Sequence, residues 1–172
     1  MIFVSVGSST IPFERLLRAV DNLAADEQLI VQYGASGFRP RRAECVDFLS
    51  NDEFRAHVQR ARVTVIHAGA GSIITTLALG KHPIVVPRRA AHREAVDDHQ
   101  LPFARRAGEL GIVTVVEDLD CLADAIASAP LEAVSLEQAA SSLERDLSMF
   151  IEEAVGKPAT APGRGGPRTA WQ

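Results

Sequence analysis

The chain has 172 residues, about one domain's worth, and is 47% apolar and 23% charged. That composition excludes a disordered, collagen-like or disulfide-dense protein. A formal net charge of -4 argues against nucleic acid as a partner held mainly by charge. Residues 157–172 carry Lys157, Arg164 and Arg168 and no acid, which leaves 15 basic against 22 acidic groups in residues 1–156. Cys45 and Cys121 lack metal-ligand spacing and read as reduced thiols. The first residues have neither a basic segment nor a small-residue cleavage site, so they do not read as a signal peptide. The most apolar stretch, 63–80, is broken by His67 and three glycines. It falls short of the ~20 apolar residues that cross a bilayer. A cytoplasmic chain with no membrane span of its own is expected.

Short apolar runs alternate with helical patterns from the first residue. Ile2–Val6 is a strand ending in Gly7-Ser8-Ser9-Thr10, and Pro12 suits the first turn of a helix with Phe13, Leu16, Leu17 and Val20 on one face. Leu29–Tyr33 is a second strand. A loop with Gly34, Gly37, Pro40, Arg39, Arg41 and Arg42 follows, and Val46–Leu49 is a short third strand. Ser50 or Asn51 caps a helix that runs to Ala61. Val63–Ile66 leads through His67-Ala68-Gly69-Ala70-Gly71-Ser72 into a helix over Ile73–Leu79, and Pro83–Val86 is the next strand. After the loop Pro87–Ala95 come a helix over Val96–Gly108, a strand Ile112–Val116 and helices over Leu119–Ser128 and Leu136–Val155. Continuous apolar strands alternating with helices of this length predict one doubly wound, Rossmann-like α/β domain over residues 1–156. The Pro-, Gly- and Arg-containing segment 157–172 is expected to be a disordered tail.

Ligands of such sheets bind beyond the carboxyl ends of the strands. Three strand-end segments are chemically unusual: Gly7 to Thr10, His67 to Ser72, and the loop from Pro87 through Asp98-His99-Gln100. In the second, Gly69 and Gly71 let backbone N–H groups approach a ligand, and the helix behind them presents its positive end, which makes a phosphate cradle. The alternative is that the two glycines serve only a tight strand-to-helix turn. A dinucleotide fingerprint is disfavoured because Ile74 stands where its third small residue belongs. A P-loop is disfavoured because Lys81 lies at the far end of the helix. Arg88 is placed to offset phosphate charge. Asp98, His99 and Gln100 form a polar helix start facing ligand hydroxyls, or else simple caps. Consecutive side chains there diverge by ~100°, so a metal site shared by Asp97, Asp98 and His99 is disfavoured.

The stretch VIHAGAGSIITTLALGKHPIVVP (65–87) followed by EAVDDHQ (94–100) resembles the C-terminal, donor-binding half of family 28 glycosyltransferases. The likeness extends to short subunits of two-component enzymes of bacterial exopolysaccharide synthesis and of the dolichol pathway. It covers residues 1–128. It implies the second Rossmann-like domain of a two-domain (GT-B) enzyme. Gly7, Ser8 and Thr10 would lie near the diphosphate, and Phe48 and Leu49 beside the uracil. His67, Ala68, Gly69, Ala70, Gly71 and Ser72 would form the phosphate turn, and Asp98, His99 and Gln100 would meet the donor sugar. Thr75 departs from the family, which commonly has a Glu there to hold the ribose hydroxyls. His92-Arg93 departs as well, standing where relatives have small residues.

The resemblance implies transfer of a hexosyl group from a UDP-sugar, with inversion, to a polyprenyl-linked acceptor. It implies no cofactor and no metal, because backbone N–H groups and the helix dipole stabilise the leaving diphosphate. The acceptor side would be a separate membrane-bound subunit that recruits this chain to the inner face of the membrane. The stripe on Leu136–Val155 would contact that partner or, alternatively, its own sheet. The catalytic base stays unassigned, with His67 and His99 as candidates. A non-catalytic nucleotide- or phosphate-binding regulatory module is the alternative reading, and a metal-dependent hydrolase built on the Asp97–His99 region is a third.

Overall fold

A computed structural model describes residues 1–23 and 26–130, all within the compact unit Met1–Ala139. Six parallel strands form one sheet in the order β3-β2-β1-β4-β5-β6. They are β1 (Ile2–Ser5), β2 (Leu29–Gln32), β3 (Glu44–Val46), β4 (Val63–His67), β5 (Ile84–Val86) and β6 (Thr114–Val115). From β1 the chain winds outward through β2 and β3. It then returns to place β4 on the other side of β1 and continues outward to β6. The winding therefore reverses between β1 and β4, where crevices open in sheets of this kind.

Alternate side chains of these strands enter opposite layers. Ile2, Val4, Val31, Val63, Val65, Ile84 and Val86 pack with Leu16, Leu17 and Val20 of α1 (Glu14–Asp21) and with Leu122 and Ile126 of α5 (Leu122–Ala127). On the other face Phe3 and Ile30 pack against Val58 and Ala61, the last turn and C-cap of α2 (Asn51–Arg60). The remaining helices are α3 (Ala70–Ala78) and α4 (Gln100–Glu109). Both sheet faces are covered, so the strands read as unbroken apolar runs.

Several boundaries differ from the sequence reading, most by one or two residues at strand ends, and the larger differences have local reasons. β3 occupies Glu44–Val46 instead of Val46–Leu49, because its ladder with β2 runs from the Ile30–Glu44 pair and stops at the Gln32–Val46 pair. A capping box at Ser50 and Glu53 then starts α2. α3 begins at Ala70, three residues earlier than Ile73, so Gly71 and Ser72 belong to its first turn. α4 begins at Gln100 instead of Val96. The Asp97 side chain takes the His99 N–H at 3.1 Å and that of Asp98 takes the Ala90 N–H at 2.8 Å, bonds that compete with a helical turn. The last described helix is divided into a 3-10 turn, Leu119–Cys121, and α5. The predicted helix over Leu136–Val155, the tail 157–172 and the boundary between them lie outside the described residues. No helix among the described residues is long and apolar enough to cross a membrane.

Candidate functional site

A cleft of about 300 Å3 opens at the carboxyl ends of β1, β2 and β4, at the lower end of the range for small-molecule sites. Its lining brings together Gly7, Ser8, Phe48, Leu49, Gly71, Ser72 and Thr75 of the predicted residues. It adds Ser5, Gln32, Ser50, Asn51 and Phe54, which sequence reasoning did not assign to a site. The signal for two of these was present. Ser5 and Gln32 are polar residues embedded in apolar strand runs, buried, and paired across the sheet. Every lining side chain is uncharged, so an anion there would be held by neutral donors, the hydroxyls and amides of the lining and the N–H groups of the backbone.

That backbone is the start of α3. Gly69 is the N-cap residue, no side chain caps the helix, and no acid stands in its first turn. Its leading N–H groups and positive dipole end are left to water or a ligand. Beneath the turn lies His67, the last residue of β4. A Cβ on Gly69 would sit 2.2 Å from His67 Nε2, and one on Gly7 would sit 2.4 Å from His67 Cε1. The imidazole is thus sandwiched between the two glycine turns, and Gly7 also has a φ of +82°. Gly71 differs, since a Cβ there would meet nothing within 4 Å. It faces open space.

Burial, with a smaller contribution from the nearby Arg88 charge, pushes the His67 pKa down to about 4. At neutral pH the ring is therefore uncharged, and its buried Nδ1 has no partner. A neutral imidazole with this pKa is a weak general base and a competent hydrogen-bond donor. His99, the other catalytic candidate, is exposed and shares a hydrogen bond with Asp97, and neither histidine is among the residues that line the cleft. Thr10 is exposed and also lies outside the lining. Ala68 is buried, so its side chain packs away from solvent.

Arg88 requires a correction. It was expected to offset phosphate charge, yet it is 2% exposed, and its guanidinium is committed to the protein. Nη1 donates to the carbonyls of Ile11 at 2.7 Å and Glu94 at 2.8 Å, with a longer contact to Pro12, and Nη2 donates to Val6 at 2.8 Å. The ring of Phe13 lies 4.7 Å below it. Arg88 ties the β1–α1 loop to the loop after β5. Asp98 and Gln100 each use one side-chain oxygen on the loop itself, accepting from the backbone N–H groups of Ala90 and Arg88. Neither lines the cleft. Among the described residues no group of three or more His, Cys, Asp or Glu side chains is placed to hold a metal ion.

A doubly wound parallel α/β sheet with an uncapped, glycine-bearing helix start at its switch point is the class of fold that the chain adopts. Within that class the chain belongs to the glycosyltransferase family 28 C-terminal domain, matched over residues 1–153. Among curated proteins it is 31% identical over 119 residues to the UDP-N-acetylglucosamine transferase subunit ALG13 of Yarrowia lipolytica, covering 60% of this chain and 58% of that one. It is 30% identical over 146 residues to the human protein of the same name, covering 75% of this chain and 12% of that one. The chain thus spans just over half of one relative and a small part of the other. Among solved structures it resembles a kitacinnamycin glycotransferase (TM-score 0.57, 24% identity, 87% of this chain and 39% of that one). It also resembles Acinetobacter baumannii MurG (TM-score 0.51, 17% identity, 73% and 40%). At those identities the likeness is one of fold.

Proposed function

We propose that this chain is the donor-binding half of a two-component glycosyltransferase. It binds a nucleotide-diphosphate sugar, of the UDP class, and a second, membrane-bound subunit presents a polyprenyl-linked acceptor in cell-surface polysaccharide synthesis. The observation that carries this is the uncapped start of α3. Gly69 leaves its N–H groups without side-chain partners beside neutral His67, and Gly71 and Ser72 open onto a cleft whose other wall is Phe48 and Leu49. Donors aimed at a diphosphate and an aromatic wall for a base are the two halves of a nucleoside diphosphate site. The relatives' names, as UDP-N-acetylglucosamine transferase subunits, support both the donor class and the division into subunits.

The chemistry asked of the site is stabilisation of the leaving diphosphate as its bond to the anomeric carbon breaks. The N–H groups at the start of α3 supply this, beside a cleft lining of uncharged side chains. Inverting displacement also needs a base on the acceptor side. The cleft lining contains no ionisable side chain, which supports a base donated by the partner. Titration calorimetry with UDP, GDP and ADP tests the reading. UDP is expected to bind, and sugar transfer is expected only when the partner subunit is added. Absence of binding by all three would overturn the donor assignment. Binding of UDP with no transfer in the presence of the partner would favour the regulatory-module reading. Thr75 on the cleft wall favours that second reading, because a hydroxyl replaces a carboxylate able to hold both ribose hydroxyls.

A further inference from the structure

We infer that Gln32 is a positioning residue that sets the distance between the two walls of the cleft. It is the last residue of β2 and is 4% exposed. Its carboxamide makes four hydrogen bonds. Oε1 accepts from Ser5 Oγ at 2.6 Å and from the Gly7 N–H at 3.1 Å. Nε2 donates to the Gly7 carbonyl at 3.0 Å and to the Asp47 carbonyl at 2.9 Å. Both lone pairs and both N–H groups are therefore in use, which is the full capacity of a primary amide. Gly7 is gripped on its N–H and its carbonyl by one side chain. Asp47, whose carboxylate accepts the Phe48 N–H at 2.8 Å, is held by the same group.

The consequence is mechanical. Gly7 packs on His67 and forms the wall beside the α3 start, whereas Asp47 carries Phe48, which belongs to the opposite wall. The side chain that bridges them is one planar amide, while the Asp47 carbonyl also accepts the Gly34 N–H at 2.9 Å. A ligand that spans the cleft meets two walls already at their final spacing, so no ordering is left for the binding step. A ligand that touches one wall gains little from that spacing. Gln32 should therefore act selectively on ligands that reach both. This rests on the donor-site reading, and the test separates the two.

The variant Gln32→Met keeps the length of the side chain and removes all four bonds. In titrations of the folded variant, UDP affinity is expected to fall roughly tenfold or more, the equivalent of about one lost hydrogen bond's free energy. Uridine and inorganic pyrophosphate, each touching one wall, are expected to change no more than about threefold. Amide hydrogen exchange gives a readout without ligand. The Gly7 and Phe48 amides should lose protection together while those of β4 and β5 keep theirs. An equal loss for all three ligands, or unchanged UDP affinity with both amides deprotected, would overturn the positioning role. If the wild-type chain bound no UDP, the donor reading would fall, and the exchange pattern would still decide whether Gln32 couples the loops. Should Gln32→Met fail to fold, Gln32→Glu decides. A carboxylate repels the Gly7 and Asp47 carbonyls, whereas a protonated carboxyl donates to one of them. UDP affinity relative to wild type is then expected to recover as the pH is lowered, and a flat ratio would count against the inference.

Discussion

Two of the strand-end segments that the sequence marks as chemically unusual, the turn after β4 and the loop after β5, have opposite structures. In the turn, residues 67–72, the His67 ring is neutral, its Nδ1 has no partner, and no side chain caps the helix. In the loop, residues 87–100, the polar groups are largely used up on the protein. Glu94 is 4% exposed, accepts two bonds from Arg15 at 2.9 Å and takes the Arg89 N–H at 3.1 Å. Arg89 and Arg105 share Glu117. The side chains of Asp98 and Gln100 hold the backbone of the same loop. Residue types that bind phosphate do so only when their donors are left over. Here the charged loop is scaffold and the uncharged turn holds the free donors.

The largest expected effect tests the scaffold half of this contrast. Arg88→Leu leaves the carbonyls of Val6, Ile11 and Glu94 without their donor inside the protein. The cost should be about 3 kcal/mol or more of unfolding free energy, read by urea denaturation. Arg88→Lys should recover little of it, because one ammonium cannot reach carbonyls spread around a planar guanidinium. A phosphate-binding arginine would behave in reverse. Its lysine variant would keep stability and nucleotide affinity, and that result would restore the role the sequence suggested.

The next effect is a pH dependence centred on His67. Unfolded imidazole titrates near 6.5, and burial with the Arg88 charge holds the folded ring at about 4. Between these values the unfolded chain binds a proton that the folded chain refuses, so stability is full above pH 6.5 and falls as the pH drops toward 4. The contribution is about 3 kcal/mol at most. Glu27, held at about 2 by Arg62 and the N-terminus, loses its contribution only below its ordinary 4.5. The interval from 4.5 to 6.5 is therefore free of it. Denaturation curves of wild type and His67→Asn across that interval should differ in slope, with the variant flatter. Equal slopes would mean that the ring is solvated and charged in the fold.

The sequence displayed the sheet and its switch point well, because strands buried on both faces must be continuous apolar runs and the alternation with helices leaves few topologies. It displayed the glycine turn too, since no side chain can stand where Gly7 and Gly69 meet His67. It did not display which polar groups are used up. Arg88 and Glu94 are six residues apart in the chain, but their partners Val6, Ile11 and Arg15 lie more than seventy residues away. Nothing local to position 88 reports that contact. Gln32 was passed over for the same reason: its four bonds reach Ser5, Gly7 and Asp47, and alone it is only a polar residue closing an apolar run.

The smallest effect on stability comes with a sharp effect on binding, and it divides the two glycines of the turn. Gly69→Ala forces a Cβ to within 2.2 Å of His67 Nε2, and overpacking of that kind costs about 1–3 kcal/mol. Lost binding in that variant would therefore be ambiguous. Gly71 is free of the problem, being exposed, inside the first turn of α3, and without a neighbour within 4 Å of a built Cβ. Replacing a helical glycine removes a propensity penalty of up to about 1 kcal/mol, so Gly71→Val should unfold at the wild-type midpoint or slightly above it. The same isopropyl group projects into the cleft beside Ser72 and Thr75. It should lower UDP affinity at least about tenfold, which is ~1.4 kcal/mol. Calorimetric titration with UDP and thermal unfolding of the one variant read both quantities. Binding that survives with stability intact would place the ligand elsewhere on the domain, and the turn after β4 would then be only a turn.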